Sequence, residues 1–176
     1  PRAYKNFLKD KRPMRAADLV LADTLAHAQY FTHRFGLDED KVKVLHIGVD
    51  TDEFTINNKE HGDEIKVGFY GGFIPLQGTR VILEAASLLK EHSQIQFELL
   101  GDGFEFKQMQ ELAIRLELTN VNMPGWKEQD QLNAAMDDYD ICLGIFGDSP
   151  KADLVIPNKI YHYAAKGIPF IGKKSR

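Results

Sequence analysis

The sequence is poor in the features that mark secreted, membrane-spanning or metal-binding proteins. It holds one cysteine in 176 residues, so no internal disulfide can form, and Cys142 lies in the apolar run 141–145, where a buried, reduced thiol is expected. No apolar run approaches the roughly 18 residues of a membrane helix, and no signal-peptide pattern opens the chain. The six histidines show no metal-ligand spacing. We therefore expect a globular, cytoplasmic protein without a metal site.

Charge is spread unevenly along the chain. The formal net charge is −4, but residues 1–15 are strongly basic and the remainder is acidic. An acidic body argues against nucleic acid as a partner. The basic stretch has two interpretations, a solvated helix face, which we favour, or a surface for anionic lipid. A location peripheral to the membrane therefore stays open.

Hydrophobic periodicity predicts alternating strands and helices. Before a polar linker at 57–64, the pattern gives a strand near 16–23, a helix from Leu25 to Phe35 and a strand at 42–47. After it, strands are predicted at 65–70, 95–100, 120–124, 140–145 and 169–171, with one-faced helices at 80–91, 105–116 and 129–139 between them. This rhythm predicts an α/β fold with a parallel sheet covered by helices on both faces. Ligands of such sheets bind at the carboxyl ends of the strands.

Glycines follow three of these strands. Gly71 and Gly72 allow close approach of a ligand to the backbone, and a helix starting near Thr79 offers free N–H groups to an anion. Gly101 and Gly103 clear space after the next strand, although a simple turn in which Asp102 caps the following helix explains them equally well. Trp126, beside Gly125, could face a nucleotide base, but a place in the core is the more common role.

The last loop contains the strongest local signal. Asn158 is predicted to cap a short helix that ends at Gly167, which places Lys159 in the first turn. A cation there costs about 0.3–1 kcal/mol against the helix dipole. Lys159 therefore indicates an anionic ligand nearby, unless its side chain turns away into water.

Taken together, these segments resemble the group-1 retaining glycosyltransferases of the GT-B fold. Residues 17–23 and 44–54 resemble the end of the N-terminal domain and the interdomain joint of that family. The segments 71–78, 101–103 and 166–169, with Gly125, follow its donor-binding C-terminal domain in order. The resemblance implies a Rossmann-like three-layer parallel sheet, the C-terminal half of a GT-B enzyme truncated at both ends.

The family implies three regions in this chain and a nucleotide-sugar donor as substrate. Residues 1–56 would be the end of the N-terminal domain and the joint, 57–64 a linker, and 65–176 an incomplete nucleotide-sugar-binding domain. No cofactor is implied besides the nucleotide-diphosphate sugar. The missing N-terminal domain would carry the acceptor site, for a glycan or a lipid, so we expect this chain alone to be inactive as a transferase. No catalytic residue is assigned.

The chain departs from the family at four positions. The usual basic pair of the first loop is replaced by Gly72 and Gln77, and the usual two glutamates by Leu154 and His162. Lys159 is the first candidate to supply the missing charge, because Pro157-Asn158-Lys159 resembles a Pro-Ser-Lys variant of the family. Other candidates are Lys151, Lys127 and Arg80. The expected donor-binding residues are Gly71, Gly72, Gln77, Gly101, Gly103, Trp126, Pro157, Asn158, Lys159 and His162.

Two alternatives remain beside the transferase. The missing basic pair and glutamates also fit a degenerate nucleotide-binding module without catalysis. His162, which replaces the glutamate that holds the donor ribose in relatives, could accept one hydrogen bond from a hydroxyl or simply pack among tyrosines. A dinucleotide-dependent oxidoreductase is disfavoured, because no strand is followed by the glycine fingerprint with an acidic residue about 20 positions later.

Overall fold

The structure of the protein, a computed structural model, describes residues 2–56 and 62–174, with side chains from residue 6 onward. Helices and strands alternate along these residues, as predicted. The helices are α1 (Arg2–Ala16), α2 (Leu25–Phe35), α3 (Thr79–Leu88), α4 (Phe106–Arg115), α5 (Gln129–Met136) and α6 (Asn158–Ala165). The strands are β1 (Val20–Ala22), β2 (Val42–Val44), β3 (Ile65–Tyr70), β4 (Ile95–Leu100), β5 (Val121–Gly125), β6 (Ile141–Leu143) and β7 (Phe170–Ile171).

The chain forms two compact units, the first of which comprises residues up to Ile47 together with Asp153–Ile156. In this unit β1 and β2 pair in parallel, and α2 begins after Thr24, whose hydroxyl accepts the His27 N–H at 3.0 Å. The helix ends at Gly36, which has the left-handed φ of 62° of a C-terminal cap. A small apolar core closes the unit; it contains Val20, Ala22, Ala28, Phe35, Leu37 and Val42.

The second unit, Gly48–Ala152 with Pro157–Arg176, is built on a parallel sheet of five strands in the order β5-β4-β3-β6-β7. Chain order runs outward from β3 through β4 to β5 and then resumes on the other side of β3 at β6. This reversal is the switch point at which parallel sheets bind ligands. The predicted doubly covered parallel sheet is confirmed.

Each face of this sheet has its own apolar core. Helices α3 and α4 cover one face, where the core contains Phe69, Phe73, Ile82, Leu83, Leu99, Met109 and Leu112. Helices α5 and α6 cover the other, where the core contains Leu100, Met136, Tyr139, Cys142 and Tyr163. Cys142 is fully buried and free, and burial raises the pKa of its thiol to about 12.

Four strands are shorter than the sequence predicts, and those expected at 16–23 and 169–171 form only Val20–Ala22 and Phe170–Ile171. The strand expected at 42–47 ends at Val44, because β1 offers only three residues for pairing. The strand expected at 140–145 spans Ile141–Leu143, since β6 pairs with β3 over only two residues. Of the predicted linker at 57–64, residues 57–61 lie outside the described residues, and the expected domain boundaries stay a prediction.

Candidate functional site

The loops after β3, β4 and β5 are joined by backbone hydrogen bonds at the carboxyl edge of the sheet. The Gly71 N–H donates to the Leu100 carbonyl at 3.0 Å, and the Gly101 N–H donates to the Gly125 carbonyl at 2.9 Å. These bonds extend the parallel pairing by one residue beyond the ends of β3 and β4. The three glycine loops that the sequence singled out therefore form one surface.

Gly101 is required by the closeness of two of these loops. Its φ of +133° disfavours any side chain, and a Cβ at this position would lie 2.0 Å from the Gly71 carbonyl oxygen. The glycine is thus explained by backbone packing, independently of any ligand.

A cleft of about 320 Å³ opens beside these loops. It lies entirely in the second unit and is bounded by the ends of β3, β4 and β5, by the start of α5 and by α6. Its lining residues are Tyr70, Gly71, Gly72, Leu100, Gly101, Trp126, Lys127, Gln129, Leu132 and His162. We call it the loop cleft.

The loop cleft collects part of the predicted set. Five of the expected donor-binding residues line it: Gly71, Gly72, Gly101, Trp126 and His162. Five others do not: Gln77, Gly103, Pro157, Asn158 and Lys159. Sequence reasoning missed Tyr70, Leu100, Gln129 and Leu132, which carry no recognisable motif and are found only from the topology. A role for any of these residues in donor binding stays a prediction.

Trp126 is not the core residue that its type suggests. Its side chain is 68% exposed and lies at the loop cleft next to Lys127. An exposed indole offers a flat apolar face, on which a planar base can stack. Lys127 adds a cation at the same edge.

His162 is held between two aromatic rings. The Phe54 ring stacks on it at 4.1 Å between centroids, and the Tyr70 ring lies parallel at 6.0 Å. Burial lowers its pKa, although Glu53 opposes the shift, so the imidazole is neutral at pH 7. Burial also raises the pKa of Tyr70, whose protonated hydroxyl can therefore donate to Nδ1, its hydrogen-bond partner. Nε2 then carries the imidazole proton.

This geometry bears on the predicted chemistry of His162, which stays a prediction. In the tautomer in which Nδ1 accepts from the Tyr70 hydroxyl, the ring offers a ligand an N–H donor at Nε2 rather than an acceptor. A ligand hydroxyl that bonds His162 would have to accept. The sequence held no signal for the Tyr70 contact.

The predicted cap of α6 is wrong. The residue before the first helical turn is Pro157, and no side chain caps the helix. Asn158 is instead the first helical residue and is exposed. The following Gly167, with φ of +71°, ends the helix as predicted. The alternative role of Asp102 as a cap is also wrong, because α4 is preceded by Glu105, and Asp102 accepts the N–H of Gly103.

Lys159 is neither turned into water nor at an open helix mouth. It is 4% exposed, and its ammonium donates to Gln77 Oε1 at 2.8 Å and lies 3.8 Å from the centre of the Phe69 ring. Burial lowers its pKa to about 7. The reason is the packing of α6 against β3, which draws the lysine stem beneath the first glycine loop.

The remaining cationic candidates are dispersed. Arg80 is exposed and lies 3.8 Å from Glu84 on its own helix, and Lys151 is exposed in its loop. Only Lys127, among these candidates, lines the loop cleft. Within residues 2–56 and 62–174, no three histidine, cysteine or acidic side chains are grouped as metal ligands would be, and no helix is long and apolar enough to cross a membrane.

Comparison with known proteins identifies relatives of one kind. The sequence model of the family described as "Glycosyl transferases group 1" matches residues 50–143. D-inositol 3-phosphate glycosyltransferase of Streptomyces scabiei is 27% identical over 140 residues, which are 69% of this chain and 31% of that protein. The putative colanic acid biosynthesis glycosyltransferase WcaL of Salmonella typhimurium is 28% identical over 144 residues, 77% of this chain and 34% of that protein.

The fold is also that of a protein whose structure has been solved with a bound nucleotide sugar. The structure of Anabaena Alr3699/HepE in complex with UDP-glucose superposes with a TM-score of 0.75 at 18% identity, over 94% of this chain and 49% of that one. The chain thus spans about a third of the curated relatives that it matches and about half of this solved chain. The predicted GT-B architecture is confirmed.

Proposed function

Because the chain belongs to the group 1 glycosyl transferases, we propose that it binds the nucleotide diphosphate of a nucleotide-sugar donor in the loop cleft. The full-length protein would then transfer the sugar with retention of configuration. The observation that carries the proposal is the convergence of three glycine loops at the switch point of the sheet. The similar fold of a protein crystallised with UDP-glucose supports the choice of ligand class.

The lining residues suggest a role for each part of the donor. The backbone of Gly71 and Gly72 can approach a diphosphate closely, because no side chain intervenes. The indole of Trp126 can stack on the base, while the Nε2–H of His162 can donate to a ribose oxygen. Lys127 is the cation of the lining that can contribute to the charge of the leaving diphosphate, which must be stabilised as the glycosidic bond breaks.

The acceptor site and the transfer itself belong to the whole protein in this proposal. Since the chain spans about a third of its curated relatives, we assign acceptor binding, for a glycan or a lipid, to the part of the protein outside this sequence. The chain by itself would bind nucleotide without transferring sugar.

Nucleotide titration tests the first part of the proposal. UDP, GDP and ADP are titrated into the folded chain by calorimetry, with binding followed in parallel by the fluorescence of Trp126, the only tryptophan. We expect saturable binding of at least one nucleotide and a weaker response from its nucleoside. Absence of heat and of any fluorescence change with all three nucleotides would refute donor binding by this chain.

A second candidate function is a nucleotide-binding module that has lost catalysis. It is favoured by the residues at the four departures, Gly72, Gln77, Leu154 and His162, which are all uncharged at pH 7 if the imidazole is neutral. Incubation of the full-length protein with the donor that binds best decides between the two. Turnover with an α-linked product from an α-linked donor supports the retaining transferase, whereas binding without hydrolysis or transfer supports the module.

A further inference from the structure

The second unit buries two lysines whose surroundings differ. Lys166 is 2% exposed, and its ammonium lies 2.5 Å from a carboxylate oxygen of Asp137. Lys159 is 4% exposed, yet in the described part of the chain no carboxylate lies within ion-pair distance of it. Its polar partner is the neutral carboxamide of Gln77. Buried charges are normally paired. Lys159 is therefore unusual in having no counter-ion within the described residues.

The unpaired ammonium lies against the wall of the loop cleft. A Cβ added to Gly71 would be 3.0 Å from Lys159 Nζ and 3.3 Å from Gln77 Oε1. Gly71 itself lines the cleft. Both polar heads therefore lie where a side chain of residue 71 would be, directly beside a residue that lines the cleft.

We propose that the diphosphate of the nucleotide is the missing counter-ion of Lys159, that Gln77 positions the amine for it, and that diphosphate binding and protonation of Lys159 are coupled. This inference rests on the proposed function, and it deepens that function by naming how the site gains its charge. Lys159 acts from beneath the first glycine loop, and Gln77 is a positioning residue that acts through Lys159.

The groups that face Lys159 leave it free to titrate. Tyr70 on β3 lies 5.5 Å from the ammonium, measured to the ring centre, and Cys142 on β6 interacts with it electrostatically. Burial raises the pKa of both groups, so neither supplies a negative charge near neutral pH. On its own helix, His162 is neutral because burial lowers its pKa.

The direction of the coupling follows from burial. Because the pKa of Lys159 is lowered to about 7, the amine of the free protein is mostly neutral at pH 8. A diphosphate nearby favours the ammonium and raises that pKa. Binding of UDP at pH 8 therefore takes up about one proton from the solvent.

Calorimetry in two buffers of different ionisation enthalpy measures this proton. We expect uptake close to one proton with UDP in the wild-type chain at pH 8, and little with uridine, which lacks the phosphates. In K159M the uptake disappears and UDP affinity falls about tenfold or more, while the response to uridine is unchanged. K107M, at an exposed lysine of α4, is the charge-matched control and keeps both values.

Gln77→Glu is the sharper variant, because it adds a counter-ion of nearly the same shape. The new carboxylate would pair with Lys159 and compete with the diphosphate, so we expect weaker UDP binding and loss of proton uptake.

The thermal stability of K159M distinguishes a ligand-binding role of Lys159 from a structural one. Removal of an unpaired buried amine in K159M should raise the melting temperature, whereas loss of a merely structural contact would lower it.

The possible results distinguish this inference from the proposed function. If the wild-type chain binds UDP but K159M and Q77E bind it equally well, or if binding takes up no proton, the coupling is refuted while donor binding stands. If no nucleotide binds the wild-type chain, donor binding itself has failed. A K159M chain that melts at a lower temperature would likewise count against an unpaired amine.

Discussion

Substitution of Gly101 by alanine tests whether backbone packing alone holds the glycine loops together. The added Cβ would lie 2.0 Å from the Gly71 carbonyl oxygen, where an ordinary contact is 3.4 Å or more. The atom that it meets is backbone, so no side chain can rotate away to relieve the clash. The loops after β3 and β4 must therefore separate by more than an ångström.

The expected cost has two components. The φ of +133° at Gly101 imposes strain of about 1–3 kcal/mol on a residue with a side chain. Separation of the loops also breaks the hydrogen bonds that Gly71 donates to Leu100 and Gly101 donates to Gly125, at about 1 kcal/mol each. We therefore expect G101A to lose about 3–5 kcal/mol of unfolding free energy and to weaken UDP binding, since the cleft wall moves.

Alanine substitutions at two other glycines distinguish the cost of backbone strain from the cost of separating the loops. Gly125 also has a positive φ, +92°, but an added Cβ would meet nothing within 4 Å, and Gly48 has neither the strained backbone nor a neighbour. Urea unfolding, followed by far-UV circular dichroism and by the Trp126 fluorescence, gives the three free energies. G125A should lose about 1–3 kcal/mol and G48A less than about 1 kcal/mol. If G101A is no less stable than G125A, close loop packing is not the reason for glycine at this position.

Four further predictions concern residues of the second unit. In Tyr70→Phe, loss of the hydroxyl frees Nδ1 of His162, and NMR of the imidazole should detect a mixture of tautomers instead of one. Burial lowers the pKa of His162, so protonation of this imidazole favours the unfolded state. The stability that neutral His162 contributes should therefore fall as the pH drops below about 6.5, the ordinary pKa of histidine. Unfolding of wild type and His162→Gln over a pH series measures that contribution. Cys142 should resist a thiol reagent in buffer and react once denaturant unfolds the chain, since it is fully buried. Asn158→Ala should cost less than about 0.5 kcal/mol, whereas a loss near 1 kcal/mol in urea unfolding would restore Asn158 as a helix cap.

The sequence predicts the sheet of the second unit well, because its strands and helices have different hydrophobic periods. The predicted bounds of β3 and β4 agree with the structure to the residue, since in both strands apolar residues recur at every second position between polar turns. The short strands β2 and β6 are less well predicted. Their lengths depend on how many residues the neighbouring strand can pair, and local sequence does not contain that information.

The glycine part of the candidate site is predictable from the topology of the sheet. Loops that follow parallel strands meet at one edge, so the sequence predicts that Gly71, Gly72 and Gly101 lie together. The environment of His162 is not predictable, because Phe54 comes from the distant joint segment and stacks on it only in the folded chain. Trp126 is expected at the donor site although its residue type favours the core, and its exposure depends on which face of the loop the chain leaves open.

The departure at Gln77 and the lysine at position 159 are best understood as one arrangement. The resemblance to the family implies a cation at position 77, and with Gln77 in its place the first loop, residues 71–78, has no charged side chain. In the structure, α6 brings the Lys159 ammonium to 2.8 Å from the Gln77 oxygen, so a lysine at 77 would place two ammonium groups in one buried space. Repulsion and desolvation would make that pair costly. A neutral acceptor at 77 therefore suits a lysine at 159, and under the proposed coupling the helix beneath the loop, rather than the loop itself, supplies the charge.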